Sequence, residues 1–363
     1  MPHPRVLVAG ALGAVGSLVA ELLDSHPHVE LAALTARETG DGKSPIGKPL
    51  SAIYPEHRVN VSLRTIEDLD FADFDAAVVA YPAGPAASLV RQLRMAGLTV
   101  VDSCGDFRFT NVDTYEQWYG VHGAPELNGE AVYGLPELNR DRISEAKLVG
   151  NPGCYPTASI LALAPLARNE LVDDVVIDAK SGVSGAGKRE GGDAPGFIGT
   201  HENMRAYGVP GHRHEPEIEE KLSELGYLGD LSFVPHLIPI DQGELVSCYV
   251  KPTRRIDQAE LDALYQETYS SELFVEMASG LPEARDVQRT NICRIHPVVD
   301  HDGTRIFVFA TIDNLWKGGA SQAVQNLNLA LGLDEKDGIP GGVAVSGVET
   351  TRNPTLDRSP VSA

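Results

Sequence analysis

Arg5-Val6-Leu7-Val8-Ala9-Gly10-Ala11-Leu12-Gly13-Ala14-Val15-Gly16 is the stretch from which the fold is read. Arg5 to Ala9 is a short apolar run of the kind that forms a buried parallel strand. Three glycines at a spacing of three follow, then a helical stretch from Ser17 to Asp24 and a second strand from Val29 to Leu34. Strand, glycine loop, helix and strand in this order make the dinucleotide-binding fingerprint, with spacings of three and three in place of two and three. Glycines let a backbone approach a pyrophosphate, and a helix N-terminus attracts its charge. Gly10, Ala11, Leu12, Gly13, Ala14, Val15 and Gly16 are therefore the expected phosphate-binding loop. The second strand ends in Thr35-Ala36-Arg37, with no carboxylate at its tip to hold a ribose 2′-hydroxyl. Arg37 suits a 2′-phosphate, which favours NADP over NAD, although a plain surface arginine is the competing reading.

The same alternation continues outward. Ala76 to Ala80 reads as strand, Pro85 to Ala96 as helix and Thr99 to Asp102 as strand. After it comes Asp102-Ser103-Cys104-Gly105-Asp106-Phe107-Arg108, where Arg108 at a strand's carboxyl end is a candidate anion clamp and Asp106 its simplest partner. Farther on stands Asn151-Pro152-Gly153-Cys154-Tyr155-Pro156-Thr157. Asn-Pro-Gly makes a tight turn. Pro156 suits a first helical position, and a stop or kink is expected near Pro165. Cys154 is thus expected at a helix N-terminus, where the dipole and unpaired N–H groups favour a thiolate and could hold an oxyanion. The alternative is a small buried cysteine in a turn.

The second half is different in texture. Val175 to Ala179 reads as strand and runs into the glycine-rich Lys180 to Arg189, which lacks the Gly-Lys-Ser/Thr ending of a P-loop. Gly211-His212-Arg213-His214-Glu215-Pro216 crowds two histidines and an arginine at a helix start. No third ligand with metal spacing accompanies them, so no metal is expected. Strands follow at Leu231–Pro235, Gly243–Lys251, Asn291–Val299 and Arg305–Thr311, with a helix from Gln258 to Ser271 and a last one from Ser321 to Leu331. The expected architecture is α/β: an N-terminal Rossmann-type parallel sheet over 1–153 with 314–336, and an α+β catalytic and dimerisation domain over 154–313 with a mixed or antiparallel sheet. A tail over 337–363, rich in Gly, Pro and polar residues, is expected to be mobile.

With 363 residues there is room for two such domains. A net charge of −21 argues against nucleic acid and anionic membrane as partners. There is no apolar run long enough to span a bilayer and no convincing signal peptide. Four widely spaced cysteines make neither a disulfide framework nor a metal motif, which suits a reducing cytoplasm. Cys104, Cys248 and Cys293 are expected to be inert.

Together these residues resemble the N-acetyl-γ-glutamyl-phosphate reductases, arginine-pathway relatives of aspartate-semialdehyde dehydrogenase, over nearly all of residues 4–335. The resemblance rests on Asp106-Phe107-Arg108, Tyr133 to Arg140, Gly150 to Thr157, Ser181 to Gly187, Gly211 to Ile218 and Ile312 to Leu331. It implies NADPH-dependent reduction of an acyl phosphate to an aldehyde through a thioester on Cys154. The catalytic histidine would fall in His212-Arg213-His214, with His214 favoured and His212 as a helix-cap hydrogen bonder. Asn314 would lie near the cofactor, and Arg108, Ser184, Lys188 and Arg213 would meet substrate, with Lys188-Arg189 helping to hold the phosphate. A homo-oligomer, dimer or tetramer, is implied too. Three departures stand out: Leu12 and Ala14 replace the family's Ser and Tyr, Asp241-Gln242-Gly243 replaces its Thr-Arg-Gly, and Gly105 replaces an Ala. Related readings are the lysine-pathway branch acting on a carrier-protein-linked aminoadipyl phosphate, a non-catalytic NADP-binding homologue, and a thiol aldehyde dehydrogenase releasing a free acid.

Overall fold

The computed structural model describes residues 2–38, 44–186 and 201–341. Lys188 and Arg189 lie outside them, as does the tail beyond 341.

Seven parallel strands form the first sheet: β1 (Arg5–Ala9), β2 (Glu30–Thr35), β3 (Leu63–Arg64), β4 (Ala76–Val79), β5 (Thr99–Asp102), β6 (Val132–Tyr133) and β7 (Leu148–Gly150), in the order β3-β2-β1-β4-β5-β7-β6. Val6 to Ala9 and Ala76 to Val79 are wholly buried, the continuous apolar pattern of strands covered on both faces. The order reverses at β1, since β2 lies on one side and β4 on the other. That reversal opens the crevice in which α/β sheets hold ligands. Around the sheet lie α1 (Ala14–Asp24), α2 (Pro85–Met95), α3 (Val112–Tyr119) and α4 (Pro136–Glu145). The last two were not expected: the Tyr133 to Arg140 segment reads as a connection, yet Pro136 starts a helix in it.

From β7 the chain turns directly into α5 (Cys154–Arg168). Pro156 is its third residue rather than its first, still among the positions whose N–H has no helical partner. Nor does Pro165 end it. A proline at 165 leaves the Leu161 carbonyl without its i+4 donor. Tyr269 Oη supplies that donor at 2.5 Å, while Tyr265 Oη bonds Ala162 O at 2.6 Å. Both tyrosines stand one turn apart on α7 (Gln258–Tyr269), so a neighbouring helix repairs the break and α5 runs on.

The second sheet is mixed, in the order β12-β13-β14-β11-β8-β10-β9. Its strands are β8 (Val172–Ser181), β9 (Arg205–Ala206), β10 (Asp230–Leu237), β11 (Glu244–Pro252), β12 (Val275–Met277), β13 (Cys293–Val299) and β14 (Ile306–Ile312). β10 extends through His236, which was expected in a loop. Helix α5 packs on β11 and β14, with α6 (Glu215–Ser223) and α7 beside it. The opposite face keeps Val176 and Tyr249 each 36% exposed, with Phe307 edge-on to Tyr249. After β14, a π-turn (Trp316–Ala320) leads into α8 (Ser321–Ala330), buried along its whole length and packed on α1, α4 and β5.

The start of the supposed tail is anchored rather than loose. Asn328 Nδ2 donates to Asp337 O at 2.9 Å, Gly338 lies against His26, and Ile339 joins the apolar residues beside α8.

Candidate active site

Cys154 is the first residue of α5, capped by Gly153 with no side-chain cap. Asn151 is locked by its N–H to Asp102 O at 2.7 Å and by Asn326 Nδ2 to its Oδ1 at 2.9 Å. Beneath the cysteine runs the π-turn: a side chain at Gly318 would put its Cβ 2.7 Å from Cys154 Cβ. Single π-turns recur where a helix is bent to serve a site.

Gly153 is the point on which the other groups converge. A Cβ there would meet His214 Nε2 at 2.6 Å and Arg108 Nη1 at 3.1 Å. Its N–H donates to Glu217 Oε1 at 3.1 Å, and Tyr133 Oη donates to the same oxygen at 2.9 Å. Glu217 Oε2 pairs with Arg108 Nη1 at 3.3 Å, with Glu217 fully buried and Arg108 nearly so. Burial is the largest influence on Arg108 and opposes its charge, but Glu217, Tyr119, Tyr133 and Asp102 together outweigh it and keep the guanidinium protonated. Arg108 Nε donates to Asn151 O at 2.7 Å, tying this cation to the cysteine turn. The arginine is thus partnered by Glu217 and not by Asp106, as the sequence suggests. Asp106 instead accepts from Gly84 N at 2.8 Å and Tyr115 Oη at 2.7 Å.

His214 occupies the cap position of α6, with its buried Nδ1 unpartnered among the described residues. Burial, then His212 and the two arginines, hold its pKa well below the usual imidazole value, so the resting ring is neutral. His212 accepts from His214 N–H through Nδ1 at 3.1 Å and packs among Tyr155, Tyr207 and Phe233. Burial and Arg213 lower it to about 4. Arg213 is exposed and lies over the Tyr119 ring.

The thiol departs from expectation. Part of Cys154 remains open to solvent, yet protein closes round the sulfur, and burial followed by the Glu244 carboxyl pushes its pKa well above the ordinary value. The Tyr155 N–H and Arg108 pull the other way and do not win. The resting group is a thiol, because desolvation outweighs the helix dipole.

Glu244, which no motif marks, is the acid at this thiol. Its residue is wholly buried, and among the described residues neither carboxyl oxygen has an aligned hydrogen-bond partner. Burial raises its pKa to about 8, against a hydrogen-bonding interaction with Cys154 that lowers it. The signal was present in the alternation of β11: Glu244, Val246, Cys248 and Val250 share the core-facing phase, and all four are buried.

The glycine loop lies at the sheet's reversal. Gly10 has φ +92°, and a Cβ there would stand 2.6 Å from Ala80 O. A Cβ on Gly16 would fall 2.2 Å from Gly10 O. Gly13 caps α1 without a side chain, and no acidic residue occupies the first turn. The N–H groups of Ala14, Val15 and Gly16 therefore face outward unpaired, as a pyrophosphate requires. Leu12 is held by Tyr54 Oη on its carbonyl at 3.0 Å. Thr35 O accepts from Gly10 and Ala11 N–H at 3.2 and 2.9 Å, Ala36 N–H donates to Arg64 O at 3.0 Å, and Arg37 is exposed. These residues fit a dinucleotide: a cradle of glycines that side chains would fill, at a bare helix N-terminus.

Asn314 and Ser184 come together elsewhere on the rim. Asn314 Nδ2 donates to Ser184 Oγ at 3.1 Å, and its Oδ1 accepts from Gly243 N–H at 2.7 Å. Ser184 Oγ donates to Asp241 O at 2.6 Å. The altered Asp241-Gln242-Gly243 corner is therefore part of the wall next to Glu244. Cys104 is engaged through its sulfur with Tyr81 N–H and Val79 O, while Cys248 and Cys293 are buried. Asp102, Cys104 and Asp106 have ligand atoms within 4.8 Å of one another, and burial with Asp106 raises Asp102 to about 6.

Two family models match: the semialdehyde dehydrogenase NAD binding domain over residues 5–146 and the semialdehyde dehydrogenase dimerisation domain over 154–314. Fold and site thus define a protein of the semialdehyde dehydrogenase class. Among solved structures, aspartate semialdehyde dehydrogenase II from Vibrio cholerae superposes with a TM-score of 0.69 at 18% identity, covering 91% of this chain and 99% of that one. The NADP complex of aspartate semialdehyde dehydrogenase from Candida albicans gives 0.65 at 16%, covering 90% and 98%. N-acetyl-gamma-glutamyl-phosphate reductases are far more similar in sequence: 44% identity to that of Desulforudis audaxviator, covering 92% of this chain and 97% of the relative, and 39% to that of Methanococcus maripaludis, covering 93% and 98%. The chain belongs to the N-acetyl-γ-glutamyl-phosphate reductase family.

Proposed function

We propose that this protein reduces N-acetyl-γ-glutamyl phosphate to the semialdehyde, releasing phosphate, with NADPH as reductant in arginine biosynthesis. The observation carrying this reading is the sulfur of Cys154 at the start of α5, with Arg108 and His214 both meeting the adjacent Gly153. Gly10 to Gly16 hold the pyrophosphate, and Arg37 takes the 2′-phosphate. The bound dinucleotide supplies hydride for the acyl carbon.

The protein's own groups do the rest. Cys154 sulfur attacks the acyl carbon as the carbon–oxygen bond to phosphate breaks, leaving a thioester. The Cys154 and Tyr155 N–H groups receive the oxyanion; Pro156 has none to give. Arg108 draws the phosphate toward the cysteine turn, and an anionic substrate there raises the proton affinity of His214. The neutral His214 takes the thiol's proton as sulfur bonds to carbon and passes it to the departing phosphate. Ser184 and Arg213 line the route to the acyl tail, where Asp241-Gln242 sets its fit. The open face of the mixed sheet, with Val176 and Tyr249, is where two copies pair, and the enzyme works in the cytoplasm. Among the described residues no helix is long and apolar enough to cross a membrane.

The reverse reaction tests this: NADP⁺ reduction by N-acetylglutamate semialdehyde must require phosphate as the acyl acceptor. Cys154→Ser should abolish turnover while NADP⁺ still binds. Phosphate-independent oxidation, or turnover by the serine variant, would remove the reading, and preference for the aminoadipate analogue would move the substrate to the lysine branch.

A further inference from the structure

The hydroxyl of Tyr119 lies out of solvent with no hydrogen-bond partner among the described residues. Buried polar atoms in native structures are paired, so one without a partner calls for a use. The ring that carries it is held in place. Tyr119 is the last residue of α3, which Gly120 ends with φ +86°. Tyr115, one turn earlier, stacks on the ring with centroids 4.9 Å apart and is itself tied by its Oη to Asp106 Oδ1 at 2.7 Å. Phe109 meets the ring edge-on at 6.1 Å, and Arg213 Cζ lies over it at 5.6 Å. The hydroxyl therefore has a fixed direction. A Cβ at Gly105 would come 3.6 Å from Tyr119 Oη and 3.7 Å from Arg108 Cζ, so hydroxyl and guanidinium border one gap, which Gly105 has no side chain to fill.

We propose that Tyr119 is a phosphate-binding residue, its Oη donating to a phosphoryl oxygen of the anion that Arg108 holds. Three of the five N–H donors of Arg108 are committed, to Asn151 O at 2.7 Å, Glu217 Oε2 at 3.3 Å and Ser103 O at 3.4 Å. Two remain for a group with three acceptor oxygens, and a neutral O–H beside them supplies a further donor. Burial raises the Tyr119 pKa, so the proton is there to give. The anion is the phosphate and not the substrate's carboxylate, because Arg108 is fixed at the cysteine turn: a Cβ on Gly153 would meet its Nη1 at 3.1 Å. The leaving group is bonded to the carbon that Cys154 attacks, whereas the carboxylate stands several bonds away.

The inference rests on the phosphate-dependent reaction proposed above, and the reverse assay separates the two. Tyr119→Phe keeps the ring and its stack and removes one oxygen. The KM for phosphate should rise about tenfold, with the KM for the semialdehyde and the affinity for NADP⁺ within about twofold of the parent. Binding of radiolabelled inorganic phosphate to the NADP⁺-loaded enzyme, which needs no turnover, should weaken by the same factor. Since the hydroxyl has no partner in the free protein, its loss should not lower the melting temperature. Phosphate constants within about twofold of the parent's, a rise in the semialdehyde KM in their place, or a drop in melting temperature overturns the assignment of Tyr119 alone. A parent that turns over without phosphate would instead strike the underlying reading.

Discussion

Replacing Glu244 by glutamine should make the protein more stable in alkali, by an amount the structure supplies. Burial raises this carboxyl from 4.5 to about 8. A folded-state pKa above the unfolded one means the fold binds the proton more tightly. Its contribution is whole below the unfolded value of 4.5 and is lost as pH climbs through 8. The full difference corresponds to about 5 kcal/mol, of which about 4 falls between about pH 5 and about pH 9. Glutamine keeps the shape and does not titrate. With an unfolding entropy on the order of 0.8 kcal/mol per kelvin for a chain of 363 residues, the melting temperature of Glu244→Gln should gain roughly 5 °C on the parent across that range. The assay is a pair of thermal scans at matched rate at each end of the range. Every other titrating group is common to both proteins, so only the difference counts. Parallel loss of stability in parent and variant would refute the claim that Glu244 is folded as a neutral acid.

Other expectations concern the frame of the site. Glu217→Ala strips the buried partner from Arg108 and the acceptor from Gly153 N–H, and should cost about 3–5 kcal/mol in chemical denaturation along with most activity. Gly16→Ala sets a methyl 2.2 Å from Gly10 O. The loop must shift, so NADP⁺ affinity by fluorescence titration should drop at least about tenfold, with Cys154 alkylation unaffected. Tyr269→Phe leaves the Leu161 carbonyl bare beside Pro165, and should lower stability by about 1–3 kcal/mol with kcat nearly unchanged.

Local patterns carried much of this into view from sequence alone. Gly10 to Gly16 after an apolar strand, and Asn-Pro-Gly before Cys154, act over a few residues, so their turns and helix starts were legible. What stayed hidden acts across the chain. Arg108 meets Glu217 from 109 positions away, whereas the nearer Asp106 turns to Gly84 and Tyr115. The charge state of Cys154 depends on how tightly β11 and the π-turn enclose it, and a dipole argument sees none of that. Pro165 reads as a stop because nothing local reveals two tyrosines on a helix some hundred residues later. Glu244 was readable in principle, since a carboxylate in phase with Val246 and Val250 contradicts its own strand.

Residues 313–330 have a consequence for assembly. They bring Gly318 under Cys154, Asn326 to Asn151, and Gln322 to the Thr157 hydroxyl at 2.9 Å. A growing polypeptide therefore carries Cys154 long before the piece that braces its turn has been made. A fragment ending at Ile312 holds Cys154, His214 and Arg108 but lacks Gly318, Gln322 and Asn326, the residues that brace the cysteine turn.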